Sequence, residues 1–376
     1  MKFFGIISYN IHCNFTNYGS ALQSWAMSKA IDKIGNGRWE SKLIDYCPEI
    51  LKDKDPLNPM DHMWDSNEEA RMMCELSLPA IRINYKKFDH FYHHEFKRSK
   101  KKYTKANFND VVEEEELIGF VCGSDTIFCI DEFGFDDGFY ANYPCMKNGY
   151  SVAFAASFGD PHFSKQDYNV LNQRLQNFKA IGLREKAMLN YVREHTSIPV
   201  EKVIDPTLLL EPSDYDVITD NRQENDKYLL LYARRYNKAM EDYAVKLAEQ
   251  NGWKIIEISL RAVNSQKHKM FYEAGVQEFL SLVKYAECVI TNSYHGMIFS
   301  VQFKKPFYVF SREQCDTKIE ELLELFGIKD RLLVTGDEGT ANEIDYSDVH
   351  ARIAQARSKA LEFMNYELEN GYQGEQ

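Results

Sequence analysis

The chain has 376 residues, 44% hydrophobic and 27% charged, long enough for two globular cores and too balanced in composition for extended disorder. Its 57 acidic against 45 basic side chains give a net charge of -12, which opposes phosphate backbones and anionic lipid surfaces and argues against a nucleic-acid partner. No run approaches the ~18 uninterrupted apolar residues of a membrane span, and the eight cysteines form no CxxC pair and no zinc-ligand cadence, reading as reduced thiols of a cytosolic protein.

Residues 3–9 form an apolar run that reads as a first strand rather than a signal peptide. A polar loop follows, and Ala21, Leu22, Trp25, Ala26 and Ile31 recur at helical spacing up to Gly35. Residues 42–46 read as the next strand, and the charged, Pro- and Met-bearing stretch from about 48 to 115 as an insertion of helices and loops. Apolar runs at 117–122, 151–156, 180–183 and 200–204, separated by loops or helical patterns, are the alternation of a mostly parallel sheet covered on both faces. They complete an N-terminal α/β domain over residues 1–210. The Asp-, Glu- and Asn-rich segment 211–226 has little to bury and reads as a linker.

A second α/β domain is expected over 227–346, with strands at 228–232, 253–259, 287–291 and 306–310 and helices near 237–250, 276–286, 295–303 and 316–326. Residues 347–376 carry a last helical pattern and tail, long enough to fold back across the first domain.

In open α/β sheets ligands bind beyond the carboxyl ends of strands, where helix N-termini present unpaired N–H groups. Three turns fit that place. Asn14-Phe15-Thr16-Asn17-Tyr18-Gly19-Ser20 leads into the helix near Ala21, either as a ligand-facing loop or as an ordinary loop with Ser20 as cap. Gly123-Ser124-Asp125 offers a hydroxyl and a carboxylate after a strand, or a cap for the next helix. Thr291-Asn292-Ser293-Tyr294-His295-Gly296 places His295 in the first turn of a helix, a better position for a general acid or base than an apolar face.

Arg184, after the run 180–183, can clamp a carboxylate or phosphate through paired N–H bonds, or form a surface pair with Glu185. Arg234 and Arg235 follow the second domain's first strand and are reasonable anion ligands, whereas Asp205-Pro206-Thr207 reads as a structural turn at the hinge. The dinucleotide and P-loop fingerprints are missing. Asp136-Asp137 sits in a Gly-bearing turn and His90, His93 and His94 on a charged helical surface, so no metal is expected at either.

Taken in order, several segments resemble the polysaccharide pyruvyltransferase family: residues 17–23 (NYGSALQ), 43–46 (LIDY), 121–125 (VCGSD), 153–159 (AFAASFG), 183–186 (LREK), 203–209 (VIDPTLL) and 290–296 (ITNSYHG). The resemblance implies two Rossmann-like domains of the glycosyltransferase B type with a cleft between them, the first on the acceptor side and the second on the donor side. It implies transfer of a pyruvyl group from phosphoenolpyruvate, the donor substrate with no further cofactor, to two hydroxyls of a sugar in a bacterial surface polysaccharide or its lipid-linked precursor, as a ketal.

On that reading Arg184 holds the donor's anionic groups, His295 is proton donor or phosphate ligand, and Asp125 is the base for the attacking hydroxyl. Asn17, Tyr18 and Gly19 close the cleft from the first domain, with Ser124, Asn292 and Ser293 in the same turns. Many family members carry Arg where this chain has Ser293, which directs the missing charge to Arg234, Arg235 or Lys305. The family further implies a cytoplasmic enzyme with no integral membrane segment, working at the inner face of the membrane. The alternatives are a nucleotide-sugar-dependent glycosyltransferase of the same fold and a non-catalytic carbohydrate-binding relative.

Overall fold

The computed structural model describes residues 1–13, 15–57, 68–160, 162–259, 267–312, 316–335 and 343–374; Asn14 and Cys315 lie outside the described residues. Two six-stranded parallel sheets organise the chain. The first contains β1 (Lys2–Ile7), β2 (Trp39–Leu43), β3 (Leu117–Cys122), β4 (Ser151–Ala156), β5 (Ala180–Leu183) and β6 (Val200–Lys202), in the spatial order β2-β1-β3-β4-β5-β6. Its helices are α1 (Tyr18–Gly35), α2 (Glu68–His94), α6 (Lys165–Leu175) and α7 (Leu189–His195), with the short α3 (Val111–Glu115), α4 (Ile130–Phe133) and α5 (Pro144–Asn148).

The second sheet contains β7 (Tyr228–Tyr232), β8 (Lys254–Ile258), β9 (Lys269–Met270), β10 (Cys288–Thr291), β11 (Phe307–Phe310) and β12 (Leu332–Leu333), ordered β12-β11-β10-β7-β8-β9. With it go α8 (Lys238–Asn251), α9 (Val276–Tyr285), α10 (Tyr294–Gln302), α11 (Asp316–Phe326) and α12 (Tyr346–Gly374). Each sheet reverses its direction of growth once, between β1 and β3 in the first and between β7 and β10 in the second. At such a reversal the loops leaving two neighbouring strands diverge and open a crevice, so the order of strands itself marks where ligands fit.

Helix α1 starts three residues before the expected Ala21, because Asn17 rather than Ser20 is its cap: the Asn17 side chain accepts from the N–H groups of Gly19 and Ser20. Most of this helix is buried on all sides, since it is covered by the first sheet, by α9 and α10 of the second domain and by α12. One apolar core therefore runs through α1 from Phe4 and Trp25 to Phe279 and Phe299.

The expected linker is packed instead of loose. Residues Pro212–Ile218 wind into a 3-10 turn whose Tyr215 is fully buried, 5.5 Å from Trp25 and edge-on to Phe299 at 5.1 Å. A single aromatic in a polar segment was enough to anchor it. Helix α12 returns across the first domain as its length suggested: Phe363 stacks on Phe154, Tyr372 packs on Trp39, and Gly371 abuts Phe4 and Tyr150. Among the described residues, no helix is long and apolar enough to cross a membrane.

Candidate active site

The turn after β3 is shaped by its neighbours. A Cβ on Gly123, whose φ is +137°, would lie 2.0 Å from the carbonyl oxygen of Phe154, so only glycine fits. The buried amide of Gln23 on α1 accepts from the Ser124 N–H (3.1 Å) and donates to Ser8 Oγ (2.8 Å), which in turn donates to the Ser124 carbonyl (3.0 Å). Asp125 emerges from this turn with φ +70°. Its Oδ2 accepts from Ser20 Oγ at 2.6 Å, and its Oδ1 lies 3.9 Å from the Arg184 guanidinium.

Arg184 leaves the end of β5 and points inward. Nη1 donates to Asp205 Oδ2 (2.9 Å), Nε donates to Glu185 Oε1 (2.8 Å), and Tyr294 of the second domain lies against the guanidinium plane at 4.8 Å. The side chain is 3% exposed. The expectation of an open anion clamp is corrected by this geometry: the fork is already occupied by carboxylates, because Asp205 follows the adjacent strand β6 and meets it there. These acidic neighbours outweigh burial and hold Arg184 firmly protonated.

Asp205 is the residue that sequence reasoning undervalued. Read as a hinge turn, it caps the following 3-10 turn through Thr207, and its other oxygen links Arg184 to His295, whose Nε2 is 3.4 Å away across the domain boundary. Burial works against its ionisation, but His295 and then Arg184 outweigh that and hold Asp205 well below the usual carboxylate range. Among the described residues His295 Nε2 has no firm hydrogen bond despite its burial, only the 3.4 Å contact with Asp205.

His295 sits in the first turn of α10, where Ser293 is the cap, its hydroxyl accepting from the Gly296 N–H. Asn292 clamps the loop after β7 by accepting from the Arg234 N–H (2.8 Å) and donating to the Arg235 carbonyl (2.7 Å). Both side chains are buried in these duties, as is Ser124, which donates to the Ala155 carbonyl. Asn17 likewise serves as a cap. Tyr18 ties the domains together, stacked on Phe279 at 4.4 Å with its hydroxyl donating to the Ala274 carbonyl. Gly19 packs against the His295 ring.

The structure thus brings Gly19, Asp125, Arg184, Asp205 and His295 to one place, and it carries Arg234 to the first domain, where its guanidinium covers Phe15 at 4.6 Å. Lys305 does not join them. It precedes β11, at the amino-terminal edge of the sheet, where its charged neighbours are Glu287 and Arg222. The carboxyl ends of the strands, and the site, lie at the opposite edge.

A cavity of about 480 Å³ opens beside the cluster, with Arg184, Asp205 and Tyr294 on its inner wall and Lys186, Lys202 and Lys318 among its cations. Lys202 is half-buried, donates to the Arg184 carbonyl at 2.5 Å, and has its ammonium pushed below the ordinary lysine range by desolvation. Lys186, Lys202 and Lys318 were not singled out from sequence, since nothing local distinguishes a cavity lysine from a surface one. Among the described residues no group of three or more His, Cys, Asp or Glu is arranged to hold a metal ion. Asp136 instead accepts from Tyr46 and from the N–H groups of Gly138 and Phe139, and the His90 and His94 rings stack on the surface of α2.

Two parallel-sheet domains joined by a shared core, with charged groups gathered at strand ends between them, form an architecture of the glycosyltransferase B kind. Solved structures with a similar fold include S. aureus MnaA with UDP (TM-score 0.50, 14% identity, 93% of this chain and 86% of that one) and the trehalose-6-phosphate synthase OtsA (TM-score 0.50, 9% identity, 98% and 99%). Identities this low show the fold alone. No curated protein sequence matches the chain. The model of the polysaccharide pyruvyl transferase family matches residues 17–314, and the chain belongs to that family.

Proposed function

We propose that this protein transfers the pyruvyl group of phosphoenolpyruvate to two hydroxyls of a polysaccharide sugar or its lipid-linked precursor. The observation that carries the reading is the Arg184–Asp205–His295 cluster, drawn from both domains, whose Arg184 and Asp205 line a cavity that also holds lysines and glutamates. Phosphoenolpyruvate bears a carboxylate and a phosphate and is small enough for such a space. Arg184 is already surrounded by carboxylates, Lys186 faces Glu324 at 3.7 Å and Lys202 faces Glu321 at 3.8 Å, so of the cavity lysines it is Lys318 on which the donor's charge mainly falls.

In this arrangement Arg184 fixes Asp205, and Asp205 is the counter-ion that orients His295. The imidazole delivers a proton to the donor's methylene carbon, which makes C2 electrophilic. A sugar hydroxyl attacks C2 while a base removes its proton, phosphate departs, and the second hydroxyl closes the ketal. Stabilising charge at C2 and at the departing phosphate requires fixed groups in a site screened from water, and the buried cluster provides such a wall.

Thermal unfolding with phosphoenolpyruvate and, separately, with UDP-glucose and UDP-N-acetylglucosamine tests the donor. At 100 times its dissociation constant a ligand stabilises the fold by about 2.7 kcal/mol. The expected result is a shift with phosphoenolpyruvate that is lost in Lys318→Ala. A shift with the nucleotide sugars alone would replace pyruvyl transfer by glycosyl transfer.

A further inference from the structure

Ketal formation takes a proton from each of two hydroxyls, yet both oxygens of Asp125 already face Ser20 or Arg184. A second group stands on the same edge of the first sheet. His12, in the loop between β1 and α1, places Nε2 2.5 Å from Oδ1 of Asp45, which follows β2. Arg98 holds the other oxygen of Asp45. The Asp45 N–H donates to Ser99 Oγ at 2.9 Å, and its carbonyl accepts from the Tyr103 N–H at 2.7 Å. The returning end of the insertion, residues 98–103, therefore immobilises one carboxylate, and that carboxylate orients one imidazole.

The accessibility of the pair is graded in the sense a base requires: the Asp45 side chain is 10% exposed and the His12 ring 22%. With Nε2–H donating to Asp45, the lone pair of the neutral ring is on Nδ1. The loop continues through Cys13 to Phe15, which lies beneath Arg234 of the second domain, so the segment carrying His12 borders the cleft. His12 precedes residues 17–314, and the family match therefore assigns it nothing.

We infer that His12 is a catalytic base that accepts a hydroxyl proton from the acceptor sugar, with Asp45 as its positioning residue. This rests on the pyruvyl-transfer reading. As the hydroxyl oxygen bonds to C2, its O–H bond breaks and the proton passes to His12 Nδ1. Phosphate leaves with the electron pair of its C2–O bond. The two protons lost by the hydroxyls balance the one gained at the methylene carbon and the one carried away by phosphate.

The test measures phosphate release and pyruvylated product from phosphoenolpyruvate with p-nitrophenyl β-galactoside, β-glucoside and N-acetyl-β-mannosaminide. His12→Gln is expected to lower kcat by about 10²–10⁴-fold, the usual contribution of a general base, while the KM for phosphoenolpyruvate and the melting temperature stay at the wild-type values. His12→Gly should regain turnover with added imidazole. The groups facing His12 are Asp45 and Cys47, with Arg98 behind Asp45; Asp45→Asn should move the acid limb of the kcat profile to lower pH, which a merely structural loss would not do. His12→Gln turning over at the wild-type rate overturns the inference. Wild-type protein that neither forms product from any of the three glycosides nor is stabilised by phosphoenolpyruvate overturns the pyruvyl-transfer reading, and this inference with it.

Discussion

Gly19 of the first domain lies flat against the imidazole of His295 in the second: a Cβ built on Gly19 would stand 2.0 Å from Nδ1 and 2.5 Å from Cγ. The absence of one methyl group thus sets how closely the helix α1 N-terminus approaches His295. Gly19→Ala forces the ring away from Asp205, and a misplacement of about 1 Å in a catalytic group costs on the order of 10²-fold in rate. The variant should lose activity to about that degree with a stability loss of only about 1–3 kcal/mol, the usual result of overpacking. Steady-state rates and urea denaturation of the same preparation measure both, and unchanged activity would show that the contact does not position His295.

Arg184 carries a structural load as the cation between two buried carboxylates. Replacing it by Ala leaves Asp205 and Glu185 buried without their cation, which costs about 3–5 kcal/mol in comparable buried pairs. Removing Asp205 as well relieves much of that penalty, so the double variant Arg184→Ala/Asp205→Ala should be more stable than the sum of the single changes by about 1 kcal/mol or more. Urea titrations of the four proteins give this coupling directly; additive effects would mean that the two side chains do not depend on one another.

The acid side of the stability curve should carry the signature of Asp205. Its folded-state pKa is depressed, so its contribution is complete above the unfolded value of about 3.9 and is lost as pH falls below that value toward the folded one. Asp205→Asn should therefore be less stable than wild type near neutrality and approach it in acid. Melting temperatures from pH 6 down to about pH 3 check the sign, and a constant offset across that range would remove Asp205 from the linkage.

Much of the scaffold was legible because strand-length apolar runs carry their own boundaries: β3, β4 and β5 fall on the residues expected, as does α11. The two-residue strands β9 and β12 were not, since pairs such as Lys269-Met270 hold too little pattern to be read. Of the site, the positions of Asp125, Arg184 and His295 were visible as strand-end residues, but their partners were not. Whether Arg184 faces a ligand or a carboxylate depends on β6 lying beside β5, a tertiary fact that brings in Asp205 from 21 residues away. The same holds for His12 and Asp45, joined by the pairing of β1 with β2. Lys305 was misplaced for the converse reason: its charge was visible and the sheet edge it occupies was not.

Asp136 shows what a buried carboxylate held by hydrogen bonds rather than by an ion pair does among the described residues. Burial, reinforced by the charge of Asp137, raises its pKa to about 6, against hydrogen bonds from Phe139, Tyr46 and Gly138 that favour the charged form. Between about pH 4 and that value the folded protein binds a proton that the unfolded chain does not, so stability falls as pH rises through this window and the deficit is complete above it. Oδ1 accepts from the Gly138 and Phe139 N–H groups and from Tyr46, whereas Oδ2 meets, among the described residues, the Tyr46 hydroxyl at 2.9 Å. Asn in place of Asp136 keeps the first set of bonds and lets the Tyr46 oxygen accept from its amide, while removing the charge. Asp136→Asn should thus melt at a higher temperature than wild type at pH 7.5, with the difference shrinking toward pH 4, as expected for a charge that is absent from the folded state in acid. A variant less stable by the same margin at both values would show that the hydrogen bonds of the carboxyl group, and not its charge, decide the stability of the turn at Gly138.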